Sequence, residues 1–230
     1  MAEVILALDL PRSDSALALL DRIPSLEWVK VGPRLLTGAG ASFVHELRRR
    51  HLKVFMDLKW HDIPNTVAGA VEAARDLGVS MATVHTLGGL GMLERAARAA
   101  GDELALLGVT VLTAHDAESY GRAVGRDQVD LAAEVCRLAG DAERAGLAGV
   151  VCSPQETALV RRTLGPKALI VVPGIRGRND PSGDQVRVST AGDAAAHGAT
   201  HLVVGRPILH AADPAAAFEA IRAEAACASA

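Results

Sequence analysis

Eight times along the chain, a short run rich in valine, isoleucine and leucine leads through a loop into an alanine- and leucine-rich stretch. The runs are VILALD (4–9), WVKVG (28–32), KVFMDLK (53–59), MATVH (81–85), LALLGVTVL (104–112), GVVCS (149–153), ALIVVPG (168–174) and HLVVG (201–205). They are continuous rather than alternating, which predicts strands covered on both faces and therefore a parallel sheet. Helical patterns follow nearly all of them, for example 13–23, 64–78, 90–101 and 213–226. Ser13 or Asp14 can cap the first of these, Pro64 suits an early helical position, and Gly78 and Gly101 suit helix ends. Eight such units in 230 residues predict an α/β fold, a single (β/α)8 TIM barrel spanning 1–230 as one domain. A doubly wound sheet is the alternative, but no G-x-G-x-x-G follows the first run.

Composition narrows the chemistry. Half of the residues are hydrophobic and 22% are charged, so a core is available and disorder is not indicated. Aromatics are 3%, which leaves core building to Val, Leu, Ile and Ala. Net charge is −3 with basic residues scattered, and the run Arg48-Arg49-Arg50 falls on a helical pattern as a solvated face. That argues against a nucleic-acid partner. Three distant cysteines, Cys136, Cys152 and Cys227, without a C-x-x-C pair indicate reduced thiols and a cytoplasmic protein, with Cys152 as buried filler. Neither a signal peptide nor a membrane span is expected from the apolar runs.

The stretch FMDLKWHDIPNT (55–66) ends the third run with Asp57, Lys59 and Asp62 in six positions. Residues two apart on a strand share a face, so Asp57 and Lys59 are expected to point together into a barrel mouth. Asp9 ends the first run and Lys30 lies near the end of the second, so four charges of alternating sign can meet there. Opposite charges packed so closely keep one another ionised, and a carboxylate beside an anionic substrate raises that substrate's energy. VVPGIR (171–176) and LVVGRP (202–207) place Gly and Arg after the last two runs, where barrels often bind phosphate, with Arg176 and Arg206 as bidentate donors. The longest irregular stretch, 174–192, follows the seventh run, and within it a lid over 174–189 is expected. His85 and Thr113 are equally readable as structural groups or ligand contacts. His61 beside Asp62 lacks metal-ligand spacing, and no metal site is expected. No P-loop or G-x-S-x-G elbow is present.

Taken together, LALD (6–9), VKVG (29–32), DLKWHDIPNTV (57–67), VHTLGG (84–89), VTVLT (109–113), PGIR (173–176), Gln185 and VVGRPI (203–208) resemble the orotidine 5′-phosphate decarboxylase family over nearly the whole chain. The resemblance implies a (β/α)8 homodimer with shared active sites that converts orotidine 5′-monophosphate to UMP and CO2 without metal or organic cofactor. It implies that Lys30, Asp57 and Lys59 surround C6 of the pyrimidine, with Lys59 as the acid and Asp57 against the carboxylate. Asp62 would join from the other subunit with Ile63 and Thr66. Asp9 and Lys30 would hold ribose hydroxyls, Thr113 the pyrimidine edge, and Pro173, Arg176, Gln185, Gly205 and Arg206 the phosphate end. The chain departs from the family pattern at Val172, Gly177 and Ala191, where Thr, Pro and Pro are more usual; these positions bear on the lid base rather than on the reaction type. Two rivals remain. A 3-hexulose-6-phosphate synthase or keto-gulonate phosphate decarboxylase shares D-x-K-x-x-D but works with Mg²⁺; a binder of phosphate ligands would keep the scaffold without catalysis.

Overall fold

The eight runs become eight parallel strands that close on themselves in chain order, β1 pairing with β2 and so on round to β8 with β1. The computed structural model describes residues 1–177 and 187–228. The strands are β1 (Glu3–Ala7), β2 (Trp28–Val31), β3 (Lys53–Trp60), β4 (Met81–His85), β5 (Ala105–Val109), β6 (Gly149–Val151), β7 (Leu169–Val172) and β8 (His201–Val204). The helices are α1 (Ser13–Leu20), α2 (Pro33–Arg49), α3 (Pro64–Asp76), α4 (Leu90–Ala100), α5 (Ala117–Val124), α6 (Leu131–Arg144), α7 (Thr157–Leu164), α8 (Ala191–Ala196), α9 (Arg206–Leu209) and α10 (Pro214–Cys227). The (β/α)8 barrel is therefore the architecture, and the doubly wound sheet is excluded.

Continuous apolar runs are needed because each strand is sandwiched between two cores. Inward side chains Ile5, Ala7, Trp28, Phe55, Met81, Leu107, Val171 and Val203 fill the barrel, while their sequence neighbours, such as Leu6, Val29 and Leu106, pack under the helices. Two of the six aromatic residues, Trp28 and Phe55, lie inside the barrel, and the others pack in the layer under the helices. Most strands end earlier than the apolar runs do, because the chains diverge once the ladder is left. Single bonds continue past the ends, Leu8 N–H to the Lys30 carbonyl at 3.0 Å and Thr110 N–H to that of Val151 at 3.2 Å.

Helix boundaries follow local chemistry with one exception. Pro64 occupies the first turn of α3, where its missing N–H costs nothing, and Gly101 closes α4 at φ +57°. Neither Ser13 nor Asp14 caps α1: Arg12 takes the cap position with no side-chain bond, and Asp14 is drawn into an ion pair with that arginine. The same carboxylate also accepts from the Ser15 N–H at 2.7 Å, one residue on, so it serves its neighbours rather than the cap. Arg48 donates to the Leu77 carbonyl, and Arg49 and Arg50 pair with Glu46, so the arginine run is a solvated, ion-paired helix end. No described helix is long and apolar enough to cross a membrane.

Candidate active site

A cavity of about 450 Å³ opens at the C-terminal ends of the strands, within the range small-molecule sites use. Its floor is apolar, with Ala7, Phe55, Val109, Val151 and Val203. One layer above, strand periodicity sets Lys30 over Trp28 and Asp57 over Phe55, each two residues further along the same strand and on the same side.

The four expected charges converge here. Lys30 Nζ lies 3.0 Å from Asp9 Oδ1 and 3.6 Å from Asp57 Oδ2, and Lys59 Nζ lies 2.8 Å from Asp57 Oδ1. The Asp57 side chain is 14% exposed and that of Lys30 is 11% exposed, so this is a nearly desolvated carboxylate between two ammonium groups. Burial pushes the Asp57 carboxyl up, but Lys59 and Lys30 outweigh it and hold the group below the ordinary carboxylate value.

Asp57 and Lys59 do not meet by simple alternation. The register of β3 against β4 shifts between Met56 and Trp60, and Lys59 sits at φ +53°, a left-handed conformation that a lysine rarely adopts. The bulge is held by Thr83, fully buried on β4: its hydroxyl accepts from the Lys59 N–H at 2.8 Å and donates to Asp57 Oδ1 at 3.2 Å. Strained backbone at a charge cluster, held by a hydroxyl from the next strand, is the pattern that functional sites sustain. Sequence reasoning missed Thr83. Its signal is a polar residue in the middle of MATVH, two positions after the inward Met81.

The remaining expected residues divide. Asp9, Thr113, Pro173, Arg176, Gly205 and Arg206 line the cavity with the charged cluster. Gly174 turns the chain after β7 at φ +85°, which suits glycine, and buried Arg176 follows with Nη1 donating to the Ile175 carbonyl at 2.7 Å. After Gly205 comes the single turn α9, whose Ile208 and Leu209 N–H groups bond the Gly205 carbonyl. Asp62, Ile63 and Thr66 are exposed and lie outside this chain's cavity; Asp62 Oδ1 accepts from the Ile63 N–H at 2.6 Å. Gln185 and most of the expected lid lie outside the described residues.

Among the ambiguous residues, His85 is structural: its Nδ1 accepts from the Leu87 N–H at 3.3 Å and its ring stacks on His61 at 5.7 Å. Burial, with lesser contributions from His61 and Lys59, lowers it to about 4, so it is neutral at physiological pH. Cys152 lines the cavity, yet burial pushes its thiol up to about 12, which keeps it protonated and unreactive. His210 and Leu209 also line the cavity, and no periodic signal in the sequence pointed to them. Among the described residues, no three His, Cys, Asp or Glu side chains are grouped to hold a metal ion.

Known proteins resemble this chain in sequence and fold. Curated orotidine 5′-phosphate decarboxylases from Halorhodospira halophila and Chromohalobacter salexigens are each 48% identical to the chain, the alignments covering 98% and 96% of it and 96% and 94% of the relatives. A crystal structure of orotidine 5′-phosphate decarboxylase from Lactobacillus acidophilus superposes with a TM-score of 0.86 at 36% identity, covering 97% of this chain and 99% of that one. An uncharacterised conserved protein from Geobacillus kaustophilus superposes with a TM-score of 0.83 at 30% identity, covering 96% of this chain and 99% of that one. The sequence profile described as the orotidine 5′-phosphate decarboxylase / HUMPS family matches residues 2–221. The chain belongs to that family.

Proposed function

We propose that the protein decarboxylates orotidine 5′-monophosphate to UMP and CO2 in pyrimidine biosynthesis, with no cofactor and with Lys59 as the proton donor. The observation that carries this reading is the Asp57 carboxylate fixed between Lys30 and Lys59 at the polar end of the cavity. The substrate's carboxylate, brought beside ionised Asp57, is raised in energy, and its loss as CO2 relieves that repulsion. As the C6–carboxylate bond breaks, its electron pair stays on C6 and takes a proton from the Lys59 ammonium; solvent then reprotonates the amine. A preplaced cation where charge develops is among the largest contributions a site can make.

Asp9 and Lys30 suit ribose hydroxyls, Thr113 the pyrimidine edge, and Pro173, Arg176, Gly205 and Arg206 the phosphate end, with Gln185 expected to join them. Binding the phosphate far from C6 lets remote interactions contribute to the chemical step. Asp62, Ile63 and Thr66 act in a neighbouring copy's site within a homodimer. Ile63 is 68% exposed, and Leu87 and Leu90 after β4 are also exposed, an apolar edge that a second copy would cover.

The test is a direct assay of orotidine 5′-monophosphate decarboxylation by purified protein, with and without EDTA. Turnover unaffected by chelator is expected. Turnover abolished by EDTA would favour the Mg²⁺-dependent sugar-phosphate branch, and UMP binding without any turnover would mean a binding protein on a retained scaffold.

A further inference from the structure

One buried ion pair beside the cavity has no part in the chemistry above. Arg187 and Glu156 are 4% and 6% exposed, and Arg187 Nη1 donates to Glu156 Oε1 at 2.7 Å. Arg187 Nη2 donates to the Leu112 carbonyl at 3.0 Å and more weakly to that of Val111 at 3.4 Å. The other Glu156 oxygen accepts from the Ser153 hydroxyl, directly after cavity-lining Cys152. Two residues past Arg187, Ser189 pairs with the exit of β7: the Arg176 N–H bonds the Ser189 carbonyl at 2.9 Å, and the Ser189 N–H that of Gly174 at 3.1 Å. The guanidinium thus ties the segments leaving β5 and β6, and the Ser189 backbone two residues on joins them to the turn after β7. Those segments supply Thr113 and Arg176 to the cavity lining.

We propose that Arg187, held by Glu156, is a positioning residue for substrate, fixing the wall that carries Thr113 and the turn that carries Arg176. The inference rests on the decarboxylase reading. Only a planar fork can serve a carboxylate and two carbonyls at once; a lysine keeps the charge but offers a single point. The competing account is that the pair merely neutralises itself inside the protein. Breaking one side of such a pair leaves an unpaired buried charge, whereas replacing both sides with apolar residues of similar size is often tolerated. The two accounts therefore diverge in the double variant.

The experiment compares Arg187→Lys with the double variant Glu156→Leu/Arg187→Met by steady-state kinetics on orotidine 5′-monophosphate and by thermal melting. The expected result is a loss in kcat/KM of about tenfold or more in both, persisting in the double variant even where its melting temperature recovers. The Arg187→Lys chain is also combined with Thr113→Ala, whose cost should be smaller in that background, since a displaced Thr113 has less to lose. Recovery of wild-type kcat/KM in the double variant, or strict additivity with Thr113→Ala, would overturn the proposal; the Thr113 cycle decides if the double variant does not fold. Wild-type turnover is measured alongside: its absence sinks the decarboxylase reading and this inference with it, whereas full wild-type turnover with unaffected variants sinks the positioning role alone.

Discussion

Residues 57–59 and 62–66 are neighbours in sequence and opposites in the fold. Asp57 and Lys59 turn into the barrel mouth, nearly desolvated or half-buried, and are braced by Thr83 and Lys30. Asp62, Ile63 and Thr66, a few residues on, stand exposed around the start of α3. The first group has its polar partners within the chain and a cavity in front of it. The second has a carboxylate whose described bond is to the next backbone N–H, and beside it a large apolar side chain in solvent. On the proposed reading, one stretch of sequence serves two sites: its first part this chain's cavity, its second part a neighbouring copy's.

The hardest test of the inward half is Lys59→Ala. Turnover of orotidine 5′-monophosphate should fall by about 10³-fold or more while UMP binding, read by calorimetry, stays close to wild type. Near-normal turnover would remove Lys59 from the chemistry. For the outward half, Asp62→Ala should be severely impaired alone. Mixed with Lys59→Ala chains, it should recover to about a quarter of wild-type turnover, because half of randomly assorted dimers are mixed and each holds one whole site. Verified heterodimers that stay inactive would place Asp62 outside the partner's site.

Thr83→Val probes the brace within the inward half. It leaves the Lys59 N–H without its acceptor and Asp57 with one donor fewer, a cost of about 1–2 kcal/mol that should appear as roughly tenfold lower kcat. Thr66→Val, at the exposed end, should leave the melting temperature unchanged, and a matching destabilisation at both sites would erase the contrast. The smallest effect concerns pH. The folded Asp57 carboxyl lies below its ordinary value of 3.8, so its contribution to stability is present above that value and fades as pH falls through the folded one. Without Lys59, burial is less opposed, and the acid loss of stability should begin at a higher pH. Melting curves of wild type and Lys59→Ala taken down to about pH 3 would show this, and coincident acid limbs would contradict it.

The barrel was legible because eight doubly covered strands leave a repeated apolar signature, and the doubly wound sheet that shares it lacked its G-x-G-x-x-G. The charges were legible for a related reason: a carboxylate and an ammonium at the end of such a run stand against the local pattern. Alternation, however, misjudged how Asp57 meets Lys59, since a bulge and a positive φ do not show in a run of residue types. Arg187 and Glu156 stand 31 positions apart, and no local pattern links them. Capping was misjudged at Asp14 because the rival partner, Arg12, is itself local and the two outcomes have similar energies.

By itself, the sequence determined the order and type of the elements, and hence which strand ends share a mouth, because hydrophobic periodicity acts locally and repeats. Tertiary structure alone decided which polar atoms meet: Thr83 with Asp57 and Lys59, Arg187 with Glu156 and the Leu112 carbonyl, and Asp62 outside the mouth. Those contacts depend on barrel closure, which brings strand exits distant in sequence within hydrogen-bond reach and excludes the water that would otherwise satisfy them.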